Sequence, residues 1–452
     1  MRDIKRIIFI VAFWLTNITL LFFNLTKYIA IDLLLFVDLL VILALLYYHI
    51  KYNRESLMLS SFIVFNWLFF FLAPLLQIKR VTQIGTLPNT MSFDYSLIIL
   101  GLSAIIIFNL LFIIFYFSLQ KYFKIKVKAL EYVRYNRATF FVLILLSIFV
   151  AFFFSTELLI MIKSEVLRVE LSLAYNLILR KVLLSMIIAS VLYYIIKIKH
   201  KKYAFISILL LLFSFMILLI FKNPLLEKRN ALGVIYLMIM YFSMPKLFSS
   251  NLRSFSLISA SLLIVFPLSY FATHWRTISS KESFRLDVIF DNFYQLHYDA
   301  FSNLLASISY VFDYGITYGN QLLGGFLFFI PRTFWEGKPL NSGKMIGRYM
   351  MQNHSMWFDN LSMPFIGESI LNFGVLGIGI FAFSLALIIL FFEKLYFSND
   401  FLIKSVAVYF SFHIIFLMRG DFTNAYAYFI GTIIGFFVIP KLINKIFNIR
   451  LV

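Results

Sequence analysis

Residues 95–118, YSLIILGLSAIIIFNLLFIIFYFS, run 24 positions without one Asp, Glu, Lys, Arg or His. A helix needs about 20 mostly apolar residues to cross the hydrocarbon core of a bilayer, and this stretch exceeds that. Reading outward for similar runs yields about twelve: 7–26, 28–50, 57–78, 95–118, 138–160, 173–196, 203–221, 231–248, 254–273, 366–391, 402–418 and 424–440. The first begins at Ile7 without a small-residue cleavage site and reads as an anchor instead of a removable signal. Composition agrees, with 62% hydrophobic and 13% charged residues against roughly 45–50% and about 25% in soluble domains. The absence of cysteine excludes disulfides, thiolate metal sites and a cysteine nucleophile. The expected fold is an all-α polytopic membrane protein of about twelve transmembrane helices.

Charge distribution sets the expected orientation. With the N-terminus inside, 22 Lys and Arg fall at the inner ends, against 9 in the short outer connections. Such bias in short loops places the basic side in the cytoplasm, so both termini are expected inside. The net charge of +19 is then a topology and anionic-lipid signal, not a nucleic-acid one. Three parts follow: an N-terminal bundle over 1–273, an outward segment over 274–365, and C-terminal spans over 366–452.

The outward segment is too long for a connector. It balances seven Lys and Arg against seven carboxylates, Glu282, Asp287, Asp291, Asp299, Asp313, Glu336 and Asp359. Helical spacing predicts a helix over Asp291 to Phe312, with Asp291, His297 and Asp299 on its polar side. Gln321 to Ile330 is apolar but too short to span, which predicts a re-entrant or interfacial piece beside a cavity. Gly337 to Lys344 echoes a phosphate loop, but position 342 is Ser and no strand precedes it, so that motif is excluded. Asn341 or Ser342 is expected to cap a short helix from Lys344 to Gln352. The free amides of that helix suit an anion, and Lys344 and Arg348 share one of its faces.

Ionisable groups near membrane depth mark functional sites. Arg229, Arg276 and Arg332 flank the expected cavity without an adjacent acid. Arg180 and Lys181 lie in span six, and Arg419 in Arg-Gly-Asp at 419–421 adjoins Asp421 as a turn partner. Asp32 and Asp38 read as internal hydrogen-bond partners, and His49, His200 and His413 as structural. Guanidinium groups bind phosphate oxygens bidentately without losing charge, so several at outer-leaflet depth point to a lipid-linked phosphate or pyrophosphate. No metal-ligand spacing accompanies them.

The chain resembles the Wzy-type polymerases of O-antigen, capsule and exopolysaccharide repeat units. The likeness rests on DAFSNL at 299–304, GITYGNQLLGGFLFFIPRTFWEGKPLNSG at 315–343, GESILNFGVLG at 367–377 and RGD at 419–421, mainly within 220–440. It implies a fold akin to integral-membrane glycosyltransferases and O-antigen ligases, and transfer of a growing glycan from one undecaprenyl pyrophosphate to another lipid-linked repeat unit. No metal, cofactor or nucleic acid is implied. The implied partners are undecaprenyl-pyrophosphate-linked glycans, membrane lipids, and a flippase and chain-length regulator of the same pathway. On this reading Arg229, Arg276, Arg332, Lys338 and Lys344 hold the pyrophosphate, with Arg180 and Arg419 in reserve. The expected bases are Glu368, Asp299 and His354, followed by His297 and Asp359, and Trp275, Trp335, Tyr314, Tyr318 and Trp357 offer stacking faces. A lipid-linked oligosaccharide flippase and an O-antigen ligase are the competing classes.

Overall fold

The computed structural model of the chain describes residues 2–51, 55–84, 94–123, 135–156, 158, 177–199, 204–224, 229–265, 267, 292–294 and 296–449. Five helices come first: α1 (Arg2–Phe23), α2 (Ile29–Lys51), α3 (Leu57–Phe65), α4 (Ala73–Ile84) and α5 (Tyr95–Gln120). Next are α6 (Arg137–Phe153), α7 (Ile187–Lys199), α8 (Ala204–Phe221), α9 (Arg229–Ser243) and α10 (Asn251–Ala260), with a π-helical segment, Leu177–Val182, before α7. The C-terminal part holds α11 (Ala300–Tyr314), α12 (Asn320–Phe326), α13 (Ser342–Asn353) and α14 (Phe365–Tyr396). It ends with α15 (Phe401–Arg419), α16 (Phe422–Ile433) and α17 (Ile439–Ile449). Among the described residues there is no strand.

Eight helices among the described residues are long and apolar enough to cross a membrane: Ile4–Phe23, Ile29–Lys51, Leu57–Lys79, Tyr95–Gln120, Ile178–Lys199, Phe365–Tyr396, Phe401–Arg419 and Phe422–Asn448. The molecule is a multi-pass membrane protein. Four shorter apolar helices, Arg137–Phe153, Phe205–Phe221, Leu232–Ser243 and Asn251–Val265, fall on the remaining apolar runs. Phe205, Leu209, Leu212, Met216 and Ile220 of α8 are exposed large hydrophobics, a surface that only lipid can wet. The centre is built on α5 and α14, where Phe108, Phe112, Tyr116, Leu385 and Ile389 are fully buried.

The tenth apolar run is not one straight helix. Its backbone breaks at Gly374 (φ 62°, ψ −146°), a conformation that a side chain would strain. Phe365 and Phe381 would stand about 24 Å apart along a straight helix, yet their ring centroids are 4.8 Å apart. The chain therefore folds back at Gly374, and the arm 365–373 lies antiparallel on the start of the arm 375–396. A Cβ at Gly377 would overlap the carbonyl oxygen of Ser369, so glycine there permits the close approach. The second arm alone is about 33 Å long, enough to span. Val375 and Leu376 are each 80% exposed at the tip. Carbonyls freed by the break accept from loop amides, Thr317 N–H to Leu371 O (2.9 Å) and Gly319 N–H to Asn372 O (3.2 Å). Irregular backbone survives at membrane depth where protein satisfies it in this way.

The segment before this hairpin packs into the bundle. Nine consecutive residues of α11, Ala300 to Ile308, are buried, as expected of a helix enclosed on every side and not one with a polar face. Regular helix starts at Ala300, later than the spacing predicts, after two 3₁₀ turns at Asn292–Tyr294 and Leu296–Tyr298. Gln77 Nε2 pins those turns, donating to the carbonyls of Phe293 (2.7 Å) and Tyr298 (2.8 Å). The apolar piece expected over 321–330 is helical only through Phe326. Lys338 Nζ then donates to the carbonyls of Leu327 (3.1 Å), Phe328 (2.8 Å) and Ile330 (2.8 Å).

Two ends of the bundle are distinct. Arg419 closes α15 and Phe422 opens α16 at one end. At the other, Asp400 accepts from Tyr135 Oη (2.7 Å) and pairs with Lys441 (3.2 Å). Asn444, about 33 Å along the helical path from Phe422, accepts from the Asn136 amide (2.8 Å).

Candidate functional site

At the Arg419 end three helix starts converge, those of α13, α14 and α16, and amides of α13 and α16 meet two carboxylates, Asp421 and Glu368. Asp421 is the N-cap of α16 and accepts from the Asn424 amide (3.2 Å). Its other oxygen accepts from the Gly343 amide (2.8 Å) at the start of α13. The anion at that helix start is thus supplied by the chain itself, as helix N-termini favour. A Cβ at Gly343 would overlap the carbonyl of Leu361, so glycine lets the 359–361 segment lie against α13. Glu368, 1% exposed, accepts from Ser342 Oγ (2.6 Å) and from the Phe422 amide (3.1 Å). Its two oxygens are thus held by the Ser342 hydroxyl and by the start of α16.

A third carboxylate belongs to Asp299, at the start of α11. It accepts from Ser362 Oγ (2.9 Å) and forms an ion pair with Arg419 Nη2 (3.0 Å). The same Nη2 donates to the Leu296 carbonyl (2.6 Å). Arg419 therefore pairs with a residue distant in sequence, not with Asp421 beside it. Its Nε–H is buried and has no acceptor among the described residues, an arrangement that costs about 1–3 kcal/mol unless an acceptor arrives.

These groups border one cavity of about 380 Å³, lined among others by Lys181, Asp299, Ser362, Arg419, Asp421 and Tyr428. Lys181 Nζ stands 4.0 Å over the Tyr428 ring centroid. Burial pushes the Asp421 carboxyl above the usual carboxylate range, against the opposing hydrogen bonds from the amides of Gly343, Asn424 and Thr423 and from Asn341. The cavity thus joins two cations, one paired carboxylate and one carboxylate of weakened acidity.

The residues singled out from sequence distribute unevenly. Asp299 and Arg419 line the cavity, whereas Glu368, buried and bonded to Ser342, is not among its lining residues. Arg180 is exposed, and its carbonyl accepts from buried Lys222 Nζ (2.7 Å). Arg332 is exposed and donates to the carbonyls of Lys338 and Pro339 within its own loop. Lys338 has all three ammonium hydrogens on carbonyls. Burial, then the Arg332 charge, hold that ammonium below the ordinary lysine range. Lys344 and Arg348 share Asp359 on the outer face of α13 (3.8 and 3.6 Å), an exposed pairing of small energetic weight. His354 belongs to a separate cluster, with its Nε2 3.5 Å from Tyr349 Oη. That hydroxyl donates to Asp313 (2.6 Å) and meets Ser309 Oγ (2.8 Å). Burial, then the Asp313 contact, push the Tyr349 phenol up to about 12. His297 sits half-buried on the turn Leu296–Tyr298. Arg276 and Trp275 lie outside the described residues, as does the Arg229 side chain, whose backbone opens α9.

Sequence reasoning passed over Lys181 in favour of Arg180 and read Asp421 only as a turn partner. An Asp just ahead of the apolar run 424–440 is an N-cap signal, and that signal was available. Of the three histidines read as structural, His49 Nε2 contacts Ser60 Oγ (2.8 Å) and His413 Nε2 the Ala425 carbonyl (2.9 Å), and His200 lies outside the described residues. Asp32 accepts from the Thr26 amide (3.0 Å), and Asp38 from Asn109 (3.3 Å). No known protein family, characterised protein or solved structure matches the chain.

Proposed function

We propose that the chain joins undecaprenyl-pyrophosphate-linked oligosaccharide repeat units by glycosyl transfer, as the Wzy-type polymerases it resembles do. The single supporting observation is the cavity in which Lys181 and the Arg419 guanidinium, whose Nε–H has no acceptor among the described residues, face Asp299 and Asp421. In this reading the eight long helices and the four shorter apolar ones together make twelve spans of a bacterial cytoplasmic membrane. The basic Asp400 end lies in the cytoplasm with both termini, and the Arg419 end opens toward the outer leaflet.

In the reaction the acceptor hydroxyl oxygen bonds to the anomeric carbon of the donor glycan. The bond from that carbon to the diphosphate oxygen breaks, and its electron pair leaves with the lipid diphosphate. Charge therefore grows on the leaving group, where fixed cations stabilise the transition state more than the ground state. Arg419 and Lys181 supply them. Asp299 orients Arg419 and keeps its charge matched while the site is empty. The acceptor proton passes to Asp421, whose burial brings it nearer to the working pH of a general base.

The test uses purified lipid-linked repeat units and the full chain in detergent. Wild type is expected to lengthen them, and Lys181→Ala, Arg419→Ala and Asp421→Asn to lose at least about tenfold in rate. A flippase is inert in such an unsealed system, and a ligase consumes units only when a lipid A core acceptor is added. Unchanged polymer length from all three variants refutes the site.

A further inference from the structure

A second cavity, of about 290 Å³, opens at the Asp400 end between α6, α7 and α8. Its lining is graded. Arg137 begins α6, Lys197 lies two residues before the end of α7, and Ser207 lies in the first turn of α8, so the polar groups share one rim. Tyr193 and Tyr194 stand next, and Phe141 and Leu210, about a turn deeper along their helices, form the apolar interior. Tyr193 is stacked on Phe140 with ring centroids 3.9 Å apart, so that wall is rigid. Lys197 Nζ lies 5.2 Å from the Tyr193 ring centroid, at the rim. Four more cations, Arg134, Lys199, Lys201 and Lys202, lie within five residues of Arg137 or Lys197 in sequence. Nothing in the proposed polymerisation uses this face.

We infer that this groove is a binding site for one anionic phospholipid, with its phosphodiester at Arg137 and Lys197 and an acyl chain along Phe141 and Leu210. Charge complementarity selects the occupant. Basic rims between membrane helices attract anionic headgroups, whereas a zwitterionic lipid brings its own cation to the rim. The apolar interior separates a lipid from a soluble phosphate ester, which fills only the rim.

The experiment measures lipid retained by the full-length protein in detergent, by native mass spectrometry and by thermal stabilisation. Separate arms offer dioleoyl phosphatidylglycerol, dioleoyl phosphatidylcholine and free glycerol 3-phosphate. Phosphatidylglycerol is expected to bind at one copy and raise the melting temperature, and the other two to do neither. Arg137→Gln with Lys197→Gln is expected to weaken retention about thirtyfold. Ala138→Phe, which narrows the groove and keeps both cations, is expected to weaken it as well. Lys246→Gln, a cation away from the groove, is expected to change nothing. Equal retention of phosphatidylcholine, equal binding of glycerol 3-phosphate, or wild-type retention by both groove variants overturns the inference.

Discussion

Removing the Asp299 carboxylate isolates the interaction on which the site's geometry depends. Asp299 is 7% exposed and Arg419 21% by side chain, with 3.0 Å between them. Removing one partner of a buried pair costs about 3–5 kcal/mol, because the other charge stays desolvated. The two truncations are unequal. In Asp299→Ala the guanidinium keeps the Leu296 carbonyl and can be reached by water in the cavity, so the loss should be about 2–3 kcal/mol. In Arg419→Ala the less exposed carboxylate keeps only Ser362, and the loss should reach about 3–4 kcal/mol. Asp299→Leu with Arg419→Met removes both charges at similar volume and should cost less than about 1 kcal/mol. The single losses thus sum to about 5–7 kcal/mol and exceed the loss of the matched double by at least about 4 kcal/mol, well above the few tenths expected of independent sites. Denaturant titration of the protein in detergent measures it. Single losses that sum to the double loss would refute the buried-pair argument. The double variant should nevertheless polymerise at least about tenfold more slowly, since Lys181 alone remains to meet the departing diphosphate, and full turnover by a stable double variant removes Arg419 from the mechanism.

Other consequences can be checked separately. Because burial raises the Asp421 carboxyl, polymerisation should increase with pH as that group ionises above the usual carboxylate range, and Asp421→Asn should abolish the rise in a rate–pH profile. The stability effect of the same group has the opposite sign. The folded state holds the proton that the unfolded chain loses near about 3.9, so unfolding free energy should fall as pH climbs from there to the raised value, and Asp421→Asn should flatten that slope in denaturant titrations. Lys338→Met leaves three carbonyls without their donor and should destabilise by about 1–3 kcal/mol, with protease cleavage appearing within 327–341. Gly377→Val should separate the two arms of the hairpin, costing several kcal/mol by overpacking, read as the loss of unfolding free energy in a denaturant titration.

The membrane class was legible from composition and run length alone, because a bilayer penalises unsatisfied backbone and charge residue by residue. For the same reason 95–118 reads as a span without any knowledge of its neighbours. The glycines of 367–377 were visible too, but the fold-back at Gly374 was not, since a local break does not say which way the next arm turns. Packing of Phe365 on Phe381 decides that. Which cations reach the cavity was also hidden. Arg180 and Lys181 are adjacent, and the helix phase at that point sends one outward and the other over Tyr428. Lys338 looked like a ligand and is a cap, because its loop curls so that three carbonyls face it. Arg419 looked bound to Asp421 and instead meets Asp299, which lies far back along the chain. One-dimensional reading thus determined which runs are long and apolar enough to cross a membrane, a matter of each residue's solvation. Which charges meet was decided by tertiary packing, because Coulomb and hydrogen-bond energies depend on distances that no local pattern encodes.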